Sequence, residues 1–487
     1  MRRSCVFLIL VLAGCMVGPN YTPPENTIPD VWSFQSETES IDTPLIAWWE
    51  SLNDAQLSRY IEQAAENNYD LLTAESNILQ ARAMRQITAS SFYPQIGADV
   101  NATRTYFSKN GPVFAIGPST GSAPGTVSQS TGLPFNVQAP QTQNLYNALF
   151  DAIWEIDLFG KIRRSVEAAD ALIGSAIENR NDVLITVLAE VARNYVDVRG
   201  NQSLQALISQ NIELLEKKKV IVEKQFACGY VSQIDYQNLL SQLAEEKSLL
   251  PDLDAQIHRG IYTLSILTGA LPEALLDEMK GPQPLPQTPM QVAVGIRSDL
   301  LRRRPDIRLA ERNLAAATAN VGVAVASFFP TITLFGDGGL QSLMLNNLFT
   351  LGSRTWAFGG DATMPIFEGG KIVGQLHLSQ AAQAAQAATY QQTVLSALQE
   401  TESALIAYTQ QLDTTQFLLE SETANANLVQ LSDSRHQAGL INLINVLDTK
   451  RQLNEVQQSV VRSQLLSLTN LITLYKALGG GWQTEES

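Results

Sequence analysis

From Lys161 to about Phe226 the chain has no proline, and its apolar residues recur at alternating intervals of three and four. Ile162, Val166, Ala169, Ile173 and Ala176 form one seam; Leu184, Leu188, Val191, Tyr195 and Val198 form another. That spacing puts the apolar residues on one face of a helix. A helix of this extent is roughly 100 Å long at about 1.5 Å per residue, against about a dozen residues for an average globular helix. A second run from Lys371 to about Gln437 predicts a matching helix, and its QAAQAAQAA stretch (Gln380 to Ala388) leaves little side chain between neighbours. Gly229, in Cys228-Gly229-Tyr230, and Gly439, in Ala438-Gly439-Leu440, supply the glycines with which each helix ends and reverses. Returning helices start near Ser232 and Ile441 and stop at Gly269 and Gly479.

Ahead of each long helix the period falls to two. Tyr146, Ala148, Phe150, Ala152, Trp154, Ile156 and Leu158 are apolar, and their alternates include Asn147, Asp151, Glu155 and Asp157. Trp356, Phe358, Ala362, Met364 and Ile366 repeat the pattern against Thr355, Asp361 and Thr363. The segments before them carry Ile96, Val100, Ile332 and Leu334. Strands are therefore predicted over about 95–107, 145–158, 331–340 and 354–367. Alternation this long suits a transmembrane β-strand, with lipid on one side and water on the other; a soluble sheet with one buried face gives the same pattern. Four strands cannot close a barrel with an aqueous interior, and open edges are not tolerated in lipid. Membrane strands would require several chains to share one barrel.

The chain says most of this twice. GKI at 160–162 recurs at 370–372, and at the same shift of 210 Gly229 matches Gly439, Ile234 matches Ile444 and Gly269 matches Gly479. SFYP at 91–94 recurs as SFFP at 327–330, a shift of 236, so the first copy holds about 26 extra residues between its SFxP and its GKI. This is duplication of one large helix–strand–strand–helical-hairpin unit; a solenoid would repeat every 20–50 residues or so. The predicted layout is a signal peptide over 1–14, a lipidated N-terminal segment with a short helix over 15–68, and a first repeat over 69–270 with its hairpin at 161–268. An inter-repeat linker (271–297), a second repeat over 298–479 with its hairpin at 371–478, and a tail at 480–487 complete it.

The first residues add an address. Arg2 and Arg3 precede an apolar run from Val6 to Ala13, which is too short to span a membrane at about twenty residues. Leu12-Ala13-Gly14-Cys15 resembles a bacterial lipobox, implying cleavage before Cys15 and its lipidation; an ordinary signal peptide with an incidental cysteine is the alternative. Met16 stands where an Asp would resemble an inner-membrane retention signal, so the outer membrane is expected. Cys5 leaves with the signal and Cys228 stands alone, so stability rests on packing rather than disulfides. The formal charge of −15 argues against nucleic acid as a partner.

No enzyme chemistry emerges. His258, His377 and His436 lie in helical stretches without metal-ligand spacing, and no nucleophile triad or phosphate loop is present. No cofactor or metal is expected. Asp99, Asp151, Glu155, Asp157, Asp337 and Asp361 all occupy odd positions, opposite the even-numbered apolar residues. They read either as an acidic lining favouring cations or as acids that tolerate any wet face. Arg302, Arg303 and Arg304 read as a helix-entry and packing feature. The Ser108–Gln143 stretch, rich in Gly, Pro, Ser and Thr, reads as an exposed loop.

Several motifs resemble the TolC-like outer membrane factors, in their lipoprotein branch of OprM and NodT type. They are GPNYTPP (18–24), WWESLND (48–54), SDLLRRRPDIRLAERNLAAATANVGVAVASFFP (298–330), GLINLINVLDTKRQL (439–453) and LYKALGGGW (474–482). The resemblance covers essentially the whole chain after the signal. It implies an α+β membrane protein with a duplicated α-β-β-α unit. As a homotrimer it would form a transmembrane β-barrel, four strands per chain, on a long periplasmic α-helical barrel. It implies the exit duct of a tripartite efflux pump, with a periplasmic adaptor and an inner-membrane resistance-nodulation-division transporter as partners. Carried over residue by residue, the periplasmic gate falls on Ile444, Asp448 and Arg451, with Asp448 and Arg451 pairing within or between chains. The tips at Gly229 and Gly439 become adaptor contacts, and the first tip departs, with Ile234, Asn238 and Ser241 at the gate positions. An ordinary solvated ion pair is the plainer reading of Asp448 and Arg451. Two other functions stay open: an outer membrane duct for type I protein secretion, and a lipid-anchored periplasmic coiled-coil scaffold.

Overall fold

The computed structural model describes residues 16–24, 47–108, 141–289 and 303–482. Cys15 and most of the Ser108–Gln143 loop lie outside the described residues. The helices are α1 (Ala55–Asn67), α2 (Tyr69–Ala89), α3 (Lys161–Ala227), α4 (Gln233–Leu267), the single-turn α5 (Leu276–Met279), α6 (Pro305–Ala326), α7 (Lys371–Gln437) and α8 (Leu443–Ala477). The strands are β1 (Gln95–Tyr106), β2 (Thr142–Ile156), β3 (Thr331–Ser342) and β4 (Arg354–Thr363). Among the described residues no helix is long and apolar enough to cross a membrane.

The chain divides into two compact units. The first joins residues 1–20, 84–169 and 318–380 and contains a four-stranded antiparallel sheet of order β1-β2-β3-β4. Its register preserves the duplication. Ile96 faces Ala152 in the first hairpin, and Ile332 faces Ala362 in the second. The first residues of these pairs differ by 236 and the second by 210, so each copy pairs its strands alike. The extra 26 residues therefore belong to the connection between β1 and β2. Strand ends depart slightly from the pattern-based reading. β2 begins at Thr142, and β4 stops at Thr363, two residues before Pro365, which has no N–H to donate to a ladder.

Where the sheet gives way to α3, Arg164 is 1 % exposed and organises the first unit. Its guanidinium donates to the carbonyls of Val17 (3.1 Å) and Gly18 (3.2 Å), to Asn20 Oδ1 (2.7 Å) and to Glu167 Oε2 (2.7 Å). Gly18 lies so close to Gly322 of α6 that a Cβ there would stand 2.5 Å from the Gly322 Cα. Residues 17–20 thus enter a tight cradle in which both glycines are needed for close approach.

The second unit comprises residues 21–83, 170–317 and 381–487. Its core joins Trp48, Leu57, Tyr60 and Ile61 to Val191, Tyr195, Ile261, Leu264, Leu468, Leu471 and Leu474, so the second seam read from the sequence, Leu184 to Val198, is buried there. Asp54 caps α1 by accepting from the Gln56 and Leu57 amides, and it also receives the Tyr195 hydroxyl at 2.8 Å. Arg304 is 8 % exposed, pairs with Asp306 (2.7 Å) and Glu400 (2.8 Å), and donates to the Ala477 carbonyl. The expected linker at 271–297 holds the single-turn α5, whose Met279 is fully buried.

Candidate functional site: the hairpin tips and the two-faced sheet

Both long helices end in the same turn. The Tyr230 amide reaches the Gln225 carbonyl and the Gly229 amide reaches Phe226; Leu440 to Arg435 and Gly439 to His436 repeat it, all at 2.9 Å. This doubled 6→1 and 5→2 bonding needs a left-handed residue, and Gly229 (φ 78°) and Gly439 (φ 72°) supply it. Nothing lies within 4 Å of a Cβ built on either, so conformation alone demands glycine there. One residue pair later Ser232 and Asn442 cap the returning helices by accepting from the Asp235 and Asn445 amides.

Along α8, Ile444, Asp448 and Arg451 follow the second tip. Ile444 is half-buried against the cluster of Ile212, Leu215, Val222 and Leu239. Asp448 accepts from Lys218 Nζ of α3 at 2.6 Å, while Arg451 pairs with Glu455 one turn on. An Asp448–Arg451 pair inside one chain, one of the two arrangements expected, is therefore not formed. Each charge finds a nearer or better-placed partner, because α3 brings a lysine alongside that the sequence of α8 alone does not reveal. Two turns above, Asn211, fully buried on α3, donates to Glu246 Oε1 of α4 at 2.7 Å. Glu246 Oε2 and Arg451 Nε are shielded and find no hydrogen-bond partner among the described residues. Burial raises the Glu246 carboxyl above its ordinary value and Glu455 adds to the rise; Asn211, Arg451 and Arg462 oppose it. Sequence reading missed Lys218, Asn211 and Glu246; polar residues inside otherwise apolar seams were the available signal.

The sheet sorts its residues by parity. Every pairing sets even opposite even and odd opposite odd. Ile96, Val100, Phe150, Trp154, Trp356 and Phe358 thus share one face, and Val100 (80 %) and Phe358 (79 %) are largely exposed on it. Asp99, Asp151, Glu155, Asp337 and Asp361 share the other, with Asp151 directly opposite Asp337. Leu145, Leu149, Ile153 and Phe335 also lie on that acidic face, which is less purely polar than the alternation suggested. Asp157 does not belong with them. It lies just beyond β2, where its carboxylate, 9 % exposed, accepts from the Arg163 backbone amide (2.9 Å) and Nε (3.1 Å) at the start of α3. Parity carried past a strand's end loses its meaning once the chain turns into a helix.

The model of one family, described as outer membrane efflux protein, matches residues 60–270 and 296–480. The chain belongs to the outer membrane efflux protein family. Its two matched stretches take in both sequence copies, and the family is one of outer membrane efflux proteins. Nodulation protein T of Rhizobium leguminosarum bv. trifolii is 28 % identical, over 99 % of this chain and 97 % of its own. The solvent efflux pump outer membrane protein SrpC of Pseudomonas putida is 29 % identical, over 99 % and 98 %. The solved outer-membrane channel OprN is 27 % identical and superposes with a TM-score of 0.81, covering 96 % of this chain and 100 % of its own. The protein is therefore an outer membrane efflux channel protein.

Proposed function

We propose that three copies of this chain close one channel, each giving four strands to a twelve-stranded β-barrel and its long helices to a periplasmic α-barrel. The observation that carries this is the sheet itself. One face is largely apolar and exposed, the other carries the acids, and among the described residues β1 and β4 leave both edges of the sheet unpaired. A bilayer tolerates no open edge. The strand order alternates up and down, so β4 of one copy meets β1 of the next antiparallel, as an even-stranded barrel requires. The acidic face then lines the lumen, where Asp99, Asp151, Glu155, Asp337 and Asp361 favour cations.

The duct serves a tripartite pump. It draws no energy, receives cargo from an inner-membrane transporter of the resistance-nodulation-division class and meets a periplasmic adaptor at the tips around Gly229 and Gly439. A lipidated Cys15, two positions before Val17 in the sequence, adds a second tether to the membrane. Threefold symmetry turns Ile444 into an apolar ring that narrows and dewets the bore. Lys218–Asp448 ties α3 to α8 within each copy, and such half-exposed pairs contribute about 0–1 kcal/mol each. Weak ties suit a gate opened by a partner. A protein-secretion duct would share this architecture, and the efflux relatives favour export of small molecules. A scaffold would leave Val100 and Phe358 facing water.

Single-channel conductance in planar bilayers tests the reading. The native trimer is expected to stay nearly closed, and Asp448→Ala/Arg451→Ala to conduct steadily. Insertion without conductance in both forms would end the pore reading. Equal conductance in both would move the gate elsewhere.

A further inference from the structure

Charge is sorted across the sheet more completely than hydropathy. All five acids within the strands stand at odd positions, and the two basic residues, Arg104 and Arg354, stand at even ones. Both arginines therefore share the apolar face with Ile96, Val100, Trp356 and Phe358. Both are exposed, and neither forms an ion pair among the described residues. Each lies toward the connection end of its own strand, although the register sets Arg354 in the row of Leu340, Ala148 and Val100, four residues from Arg104 along β1. Arg104 is two residues from the end of β1, Arg354 opens β4, and the β1–β2 and β3–β4 connections leave from that end. At the opposite end, where α2 leads into β1 and β2 into α3, the even positions Trp154, Ile156, Ile332 and Ala362 carry no charge.

A lipid-facing arginine is costly at the bilayer midplane and nearly free at the level of the headgroups. On a face otherwise uncharged, two arginines confined to the connection ends of their strands mark where hydrocarbon stops. Guanidinium groups bind phosphate oxygens through two parallel hydrogen bonds. Tyr106, two residues beyond Arg104 and on the same face, adds an amphipathic ring of the kind that settles at that boundary.

We propose that Arg104 and Arg354 form a binding site for the phosphates of anionic lipid headgroups in the outer leaflet, and so set the depth of the barrel. This rests on the barrel reading, which makes the even face the lipid face and the connection end the outer end. Closing the barrel brings the β4 edge of one copy beside the β1 edge of the next. The two arginines then stand on the two strands that flank each seam between copies.

The test uses the full chain in phosphatidylcholine vesicles containing lipid A, a bisphosphorylated glycolipid. Bound lipid A is counted by native mass spectrometry after extraction, and trimer formation is followed on semi-native gels from the same samples. The native trimer is expected to retain lipid A, and Arg104→Gln/Arg354→Gln to lose about tenfold or more. Arg104→Lys/Arg354→Lys keeps the charge without the fork and is expected to fall between them. A native trimer whose lipid A retention equals that of both variants overturns the lipid site and leaves the barrel standing. Should the glutamine variant not assemble, equal retention by the lysine variant and the native chain overturns it. A native chain that inserts without forming a trimer removes the barrel reading, and the lipid site with it.

Discussion

The two copies of the repeat agree in backbone and disagree in side chains. Gly229 and Gly439 make the same left-handed turn, Ser232 and Asn442 the same cap, and the two strand pairs the same register. At the shift of 210, Arg164 corresponds to Gly374, Asp448 to Asn238, Lys218 to Leu428 and Glu246 to Val456. Arg164 grips the N-terminal segment, whereas a Cβ at Gly374 would meet nothing within 4 Å. The pair Lys218–Asp448 takes one partner from each copy and has no counterpart between Leu428 and Asn238. Duplication kept what hydrogen-bond geometry demands and let diverge what only one location in the chain uses.

The largest expected break in this comparison is Arg164→Ala. It strips three backbone or side-chain acceptors in the N-terminal segment of a buried, charged donor, at about 3–5 kcal/mol. Gly374→Arg at the matching site is expected to change stability by less than about 0.5 kcal/mol, as for an ordinary surface substitution. Thermal unfolding of the two variants in detergent measures the contrast, and equal losses would show that Arg164 has no special role.

Next come the tip glycines. Gly229→Ala and Gly439→Ala meet open space, so each bears only the strain of a left-handed residue, about 1–2 kcal/mol. Equal costs in the two copies are expected by denaturant or thermal melting. A markedly larger loss at one tip would reveal packing there in the assembled channel.

Smallest is Glu246→Gln, in a position where the second copy has Val456. Its raised carboxyl pKa means that the folded chain holds the proton more tightly than the unfolded one. Stability from this group is then present at low pH and declines as pH rises from the unfolded value through the folded one. Glu246→Gln is expected to flatten that decline and to leave melting below the carboxylate range unchanged. A native melting profile with no fall across the window, or one identical in the variant, would show that Glu246 contributes nothing to it.

The long helices were legible because a buried face writes its period into the chain, and the strands because apolar residues alternate with polar ones along them, even though their apolar face is exposed within one chain. β1 spans 95–106 against an expected 95–107, and α3 and α7 begin at the lysines expected. Glycine at each tip was legible for a similar reason, since a left-handed turn admits few other residues. Parity alone placed the acids of the strands on one face, because a pleated strand cannot do otherwise. It failed for Asp157, which lies where the strand has already ended.

What the sequence could not decide were the partners of charged side chains. Asp448 and Arg451 stand three apart on one helix, and that spacing makes a pair between them plausible. The choice of Lys218 and Glu455 instead depends on which helix packs alongside and at what rotation. The same holds for Arg164, whose acceptors lie about 145 residues earlier. Periodicity, turn chemistry and duplication are local or repeated properties, so the sequence determined the elements, their faces and their order. Contacts between residues far apart in the chain depend on how helices settle against one another, and only the tertiary structure decided those.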